Sequence, residues 1–81
     1  MKYRIEFKPR ATKDLRAINA DDARRVFAKV RAMENDIAGD IKRLTDFEPQ
    51  YRLRVGNYRV LFNVENNSII IYRIKHRREA Y

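Results

Sequence analysis

The residues best suited to chemistry are arginines, and they fall in two clusters. Arg52, Arg54 and Arg59 lie in the segment YRLRVGNYRVLF (51–62), each flanked by Tyr, Leu or Val. Arg73, Lys75, His76, Arg77 and Arg78 then lead to a terminal Tyr81. A guanidinium fork meets phosphate oxygens two at a time, so this inventory points to a polyanion. Tyr81 adds an aromatic ring on which a base could stack. The rest of the composition narrows the chemistry. The 81 residues include no Cys and one His, which leaves no thiol nucleophile, no Cys-ligated zinc and no multi-His metal site. Two glycines are too few for a Gly-rich phosphate loop. No metal and no cofactor are expected.

The charge is uneven. Lys and Arg total 19 against 11 Asp and Glu, a formal net charge of +8. Residues 51–81 hold 7 basic and 2 acidic side chains, and none of the acidic ones falls between Tyr51 and Val64. Residues 1–50 hold 12 basic and 9 acidic ones, the mixed-sign pattern of solvated helix faces. The second part is therefore where an anion would be met. A chain of this length supports a single domain, 1–81, with a small core. No apolar run reaches a membrane span and no signal-peptide core is present, so a cytoplasmic protein with no membrane partner is expected.

The elements that must position these arginines can be read from periodicity. Tyr3, Ile5 and Phe7 alternate with polar residues, as in a half-buried strand. Pro9 suits the first turn of a helix, and Ala11, Leu15 and Ile18 form its apolar stripe. Asn19 is a good N-cap, with Asp21 and Asp22 in the first turn. From there Ala23, Val26, Phe27, Val30, Met33 and Ile37 recur at helical spacing, and Gly39 is placed to end the helix. Residues 40–50, with Pro49, read as a loop pinned to the core by Leu44 and Phe47. Alternating runs over 51–55 and 58–64, and the apolar run Ile69-Ile70-Ile71-Tyr72, read as three more strands, the last buried on both faces. The order is β-α-α-β-β-β. It defines an α+β domain whose helical hairpin packs on one face of an antiparallel sheet.

If Gly56-Asn57 is a two-residue hairpin loop, Val55 pairs with Tyr58, Arg54 with Arg59, Leu53 with Val60, and Tyr51 with Phe62. Arg52, Arg54 and Arg59 then share the face away from the helices. Like charges directly opposite each other cost about a few tenths of a kcal/mol. A face needing only to be wet could use Thr, Gln or Glu, so the choice of arginine favours an anion site. A three-residue loop over Asn66-Asn67-Ser68 would add Arg73 and Lys75 to that face. An even loop would aim them at the helices, where burial is costly, so the odd loop is expected.

The strings YRLRVGNYRVLF (51–62) and IKHRREAY (74–81) resemble the RelE toxins of the RelE/ParE superfamily. Phe7, Pro9, Ala11, Lys13-Asp14-Leu15 and Leu44 fit as well, so the resemblance spans the chain. It implies a RelE-like, microbial-ribonuclease-like fold and the toxin role in a type II toxin–antitoxin system. It implies a metal-independent endoribonuclease that cuts mRNA in the ribosomal A site, with the 2′-OH as nucleophile. The catalytic positions it implies are Arg52, Arg54, Arg59, Arg77 and Tyr81; Arg73, Lys75, His76 and Arg78 are expected to contact substrate. The implied partners are the ribosome with its rRNA, the mRNA, and an acidic RelB-like antitoxin. Relatives often carry Lys where Arg52 and Arg54 stand. Arginine, with a pKa above about 12, does not serve as a base. His76, ordinarily near about 6.5, is the side chain suited to that role, unless it only packs or hydrogen-bonds. Two rival readings use the same scaffold: a ParE-like toxin that inhibits gyrase, and a non-catalytic RNA- or ribosome-binding module.

Overall fold

The computed structural model describes residues 2–79. The chain runs β1 (Arg4–Phe7), α1 (Pro9–Ala17), α2 (Ala20–Ala32), β2 (Ile41–Arg43), β3 (Tyr51–Val55), β4 (Tyr58–Glu65) and β5 (Ser68–His76). Pro9 opens α1, where its missing N–H costs nothing. Asn19 caps α2, its side chain accepting the Asp22 N–H at 2.9 Å. The strands form one sheet in the order β1-β5-β4-β3-β2.

Both helices cover the same sheet face. α1 lies over β5 and β1, and α2 over β3. Ala11, Val26, Val30 and Met33 of the helical layer meet Leu53, Val55, Val60, Phe62, Ile69, Ile71 and Ile74 of the sheet in one core. Fully burying an aliphatic or aromatic side chain contributes about 1.5–3 kcal/mol, so this cluster is the main stabilising force. Ile70 (7% exposed) and Leu61 (3%) are buried too, although they point away from the helices. The apolar run in β5 is thus buried on both sides, as its sequence implies.

Four expectations are corrected. The sheet is mixed, because β1 pairs with β5 in parallel (Ile5 opposite Ile69, Phe7 opposite Ile71). A short strand, β2, lies in the stretch read as a loop; three residues are too few to show a period. Residues 44–50 are tied down by polar contacts, with Phe47 left 39% exposed. Leu44 N–H donates to Gln50 O at 2.7 Å. Gln50 N–H donates to Asn63 Oδ1 at 2.6 Å, and Asn63 Nδ2 donates to Glu48 Oε1 at 3.0 Å. Finally, α2 stops at Ala32, with Met33 as its C-cap, so Ile37 packs on the core from the following linker.

The β3–β4 hairpin has the expected register, including Arg54 opposite Arg59. The β4–β5 connection does not. Its loop is the even one, Asn66-Asn67, with Glu65 opposite Ser68. A β-bulge restores the phase: Phe62 pairs with Ile71 but Leu61 pairs with Arg73, leaving Tyr72 as the extra residue. Ile74 therefore returns to the core and Lys75 falls opposite Arg59.

Candidate functional site

Two rows of residues cross the sheet on the face away from the helices. One runs Arg54–Arg59–Lys75 across β3, β4 and β5. Neighbouring strands are about 4.8 Å apart, so three cationic residues are anchored within about 10 Å. The second runs Lys42–Arg52–Leu61–Arg73 across β2 to β5. Arg52 and Arg54 share a face of one strand, and link the two rows.

The three arginines of the hairpin differ in environment. Arg54 is exposed. Arg59 is half-buried, and its Nη1 donates to the carbonyls of Gly56 and Tyr58, each at 3.0 Å. The hairpin turn thereby holds this guanidinium in place. Arg52 is 9% exposed, and its Nε is buried with no acceptor among the described residues. Among the described residues, one carboxylate reaches this group: Asp40 lies 3.8 Å from Arg52 Nη1 and 3.6 Å from Arg54 Nε. The surface can seat a phosphate by two guanidinium forks, and stabilise added negative charge there.

A family model described as ParE toxin of type II toxin–antitoxin system, parDE, matches residues 5–81. "Putative toxin RelE1" of Methanocaldococcus jannaschii is 32% identical over 87 residues, covering 100% of this chain and 97% of that protein. The chain belongs to the RelE/ParE superfamily of type II toxin–antitoxin toxins. "Toxin RelE3" of the same organism is 43% identical over 47 residues, 58% of this chain and 53% of that protein, so the match spans about half of that relative. Among solved structures, the archaeal RelE–RelB complex from Pyrococcus horikoshii OT3 superposes with a TM-score of 0.80 at 26% identity, covering 99% of this chain and 100% of that one.

Against this RelE-like frame, the remaining expected site residues divide. Lys75 joins the arginine row. The Arg77 N–H donates to Asn57 O at 2.7 Å, which brings its exposed residue to the hairpin turn beside that row. Arg78 is exposed. Arg73 shares a register row with Leu61, but its guanidinium is committed to α1. Its Nε and Nη2 donate to the Asp14 carboxylate at 2.8 and 3.1 Å. His76 lies opposite Tyr58, edge-on at 5.5 Å, on the helix side of the sheet. There it lines a hollow of about 300 Å³ with Asp14, Ile18, Tyr58 and Glu79. Its Nδ1 accepts the Arg78 N–H at 3.2 Å. His76 is thus across the sheet from Arg54 and Arg59, and shares its hollow with Arg73. Tyr81 lies outside the described residues.

Two partners escape the sequence reading. Asp14 takes a third hydrogen bond, from Ile74 N–H at 3.0 Å, beside the bulge. Burial works to raise the Asp14 pKa, but the Arg73 and Ile74 hydrogen bonds, together with the charges of Arg73 and Arg10, outweigh it and hold the carboxyl below its ordinary 3.8. Tyr58 donates its hydroxyl to Asp22 Oδ2 at 3.2 Å; burial and that carboxylate push its phenol above the usual 10.0. Asp40 and Asp14 sit far in sequence from the arginines they meet, so only the strand register reveals them.

Proposed function

We propose that the chain, acting as one domain over 1–81, is a ribosome-dependent mRNA endoribonuclease of the cytoplasm. The observation that carries this reading is the row Arg54–Arg59–Lys75, with Arg52 beside it. Like charges aligned across a ladder oppose folding, and a phosphate backbone relieves them. The 2′-oxygen attacks the adjacent phosphorus and its proton leaves to a base. The P–O5′ bond breaks, the 5′-oxygen takes a proton, and a 2′,3′-cyclic phosphate remains. Arg54 and Arg59 neutralise the charge that gathers on the phosphorane oxygens. Arg77 stands at the leaving oxygen, and Tyr81 stacks on the flanking base. No metal enters this scheme.

The Pyrococcus relative was solved bound to RelB. A net charge of +8 suits an acidic antitoxin of that kind here, with binding that weakens as salt rises. A second reading, a gyrase inhibitor, is favoured by the ParE description of the matching family model.

The test is primer extension on mRNA with purified ribosomes, wild type beside Arg54→Ala/Arg59→Ala. Cuts in the A-site codon, lost in the variant and absent without ribosomes, are expected. Arrest of translation without cuts would mean a binding inhibitor. Normal translation would leave the gyrase reading, to be checked by a supercoiling assay.

A further inference from the structure

The linker between α2 and β2 carries a carboxylate that the reaction scheme does not use. Asp40 follows Gly39, whose φ of 115° is conformational space that side chains disfavour. The Asp40 carbonyl accepts the Arg54 N–H at 2.9 Å, which fixes the residue beside β3. Its two carboxylate oxygens then serve different arginines, Oδ1 at 3.8 Å from Arg52 Nη1 and Oδ2 at 3.6 Å from Arg54 Nε. A charge-assisted N–H···O bond closes to about 2.7–2.9 Å, so both contacts are loose ion pairs. At the same place the Arg52 Nε donor is buried without an acceptor. A buried unpaired donor is costly, and here a negative group stands nearby without satisfying it. The pair is half-neutralised and not saturated.

We propose that Asp40 is a built-in competitor for the phosphate seat. Its carboxylate screens Arg52 and Arg54 in the free protein, and a bound phosphodiester displaces it. This rests on reading the arginine face as an RNA site. The Asp40 side chain is 55% exposed, so it can turn into solvent while its carbonyl keeps the bond to Arg54. An incoming phosphate then offers oxygens to both guanidiniums. Asp40 so raises the threshold for anions: one that engages a single guanidinium gains too little to expel it.

The test uses a fluorescent all-2′-deoxy oligonucleotide, which lacks the nucleophile and is not cut. Its affinity is measured by anisotropy at fixed low salt. The proteins are wild type, Asp40→Asn, Asp40→Ser, Arg54→Ala/Arg59→Ala, and Asp36→Asn as a charge control on the same exposed linker. Both Asp40 variants are expected to bind about threefold to tenfold tighter, the effect of losing two loose ion pairs to a half-exposed carboxylate. Asp36→Asn removes the same charge and is expected to change affinity less than about twofold. Unchanged or weaker binding in both Asp40 variants would overturn the proposal. If binding were still lost in Arg54→Ala/Arg59→Ala, the RNA reading would stand without it. An equal gain in Asp36→Asn would also overturn it, since net charge alone would explain the effect. No binding by any of the proteins would overturn the proposal, and the ribosome assay alone would then decide the RNA reading.

Discussion

Removing the Asp14 carboxylate should cost this protein much of its stability. Asp14 accepts from Arg73 Nε at 2.8 Å, Arg73 Nη2 at 3.1 Å and Ile74 N–H at 3.0 Å. The side chains of Arg73 and Asp14 are 26% and 19% exposed, so water replaces the lost bonds incompletely. In Asp14→Ala a guanidinium and a backbone donor lose their acceptors at the bulge. Hydrogen bonds to charged groups contribute about 1.5–3 kcal/mol net each, and partial exposure reduces the sum. The expected loss is about 2–3 kcal/mol. A domain of this size has about 4–12 kcal/mol in total, at 0.05–0.15 kcal/mol per residue. At about 4–8 °C per kcal/mol, the midpoint should fall by about 10–20 °C.

The assay is denaturant unfolding of Asp14→Ala, Arg73→Ala and the double variant. A cycle on these three should give a coupling of about 1–2 kcal/mol. A coupling below about 0.5 kcal/mol would refute the argument that Arg73 is bound into the fold. So would an Arg73→Ala protein of wild-type stability that has lost RNA affinity, since the guanidinium would then be serving substrate. The pH dependence gives an independent check. The Asp14 pKa is lowered in the folded state, so the unfolded chain takes up the proton first on acidification. The stabilisation is complete above the ordinary carboxylate value of 3.8 and is lost as pH falls through the lower folded value. Asp14→Ala should lack that part of the acid-unfolding curve.

Three other substitutions separate fold from site. Arg59→Ala gives up two hydrogen bonds to turn carbonyls but also a like-charge opposition, so its stability should change by less than about 1 kcal/mol. Its cleavage rate in the ribosome assay should fall at least about a hundredfold, and an Arg59→Ala protein that still arrests growth would misplace the site. Arg52→Met removes a buried donor that has no acceptor, so unfolding free energy should stay level or rise while cleavage falls. Tyr58→Phe loses the bond to Asp22 and should cost about 0.5–1.5 kcal/mol by thermal melt; in wild type, absorbance titration should show a component from Tyr58 above the usual 10.0 that the variant lacks.

Where the pattern is local, the sequence alone is informative. Pro9 and Asn19 mark helix starts because each acts on the backbone within its own turn. The register of the β3–β4 hairpin follows from Gly56-Asn57, so Arg54 opposite Arg59 is legible before any coordinates. What escapes is non-local. Lys75 lies on the arginine face as its sequence implies, but the bulge at Tyr72, not an odd loop, shifts the phase. No residue type announces that bulge. Its purpose is visible only from packing, because without it Ile74 would leave the core and Arg73 would enter it. The same bulge sits beside the Ile74 N–H that Asp14 accepts, so a missed register meant a missed ion pair. Likewise, β2 brings Asp40 to the arginines, and β2 has no periodic signal of its own.

The bulge also explains how this sheet tolerates its like charges. Restoring the phase after an even loop puts three cationic residues abreast, at a cost of about a few tenths of a kcal/mol per opposed pair. A straight β5 would have avoided that row, but would have put Arg73 where Ile74 now packs, at 3% exposure. Burying an unpaired guanidinium costs far more than the repulsion. The fold therefore takes the cheaper penalty and keeps Arg54, Arg59 and Lys75 in one row on the open face, eased by the carbonyls of Gly56 and Tyr58 and by Asp40, while the Arg73 guanidinium pairs with Asp14 of α1. An anion that binds the folded face and not the unfolded chain removes the remaining repulsion and adds its own binding energy. Melting temperature should thus rise with polyanion concentration in wild type, and rise far less in Arg54→Ala/Arg59→Ala. A shift of equal size in both would mean that polyanions are held elsewhere on this basic chain, and that the row is only a tolerated by-product of packing Ile74.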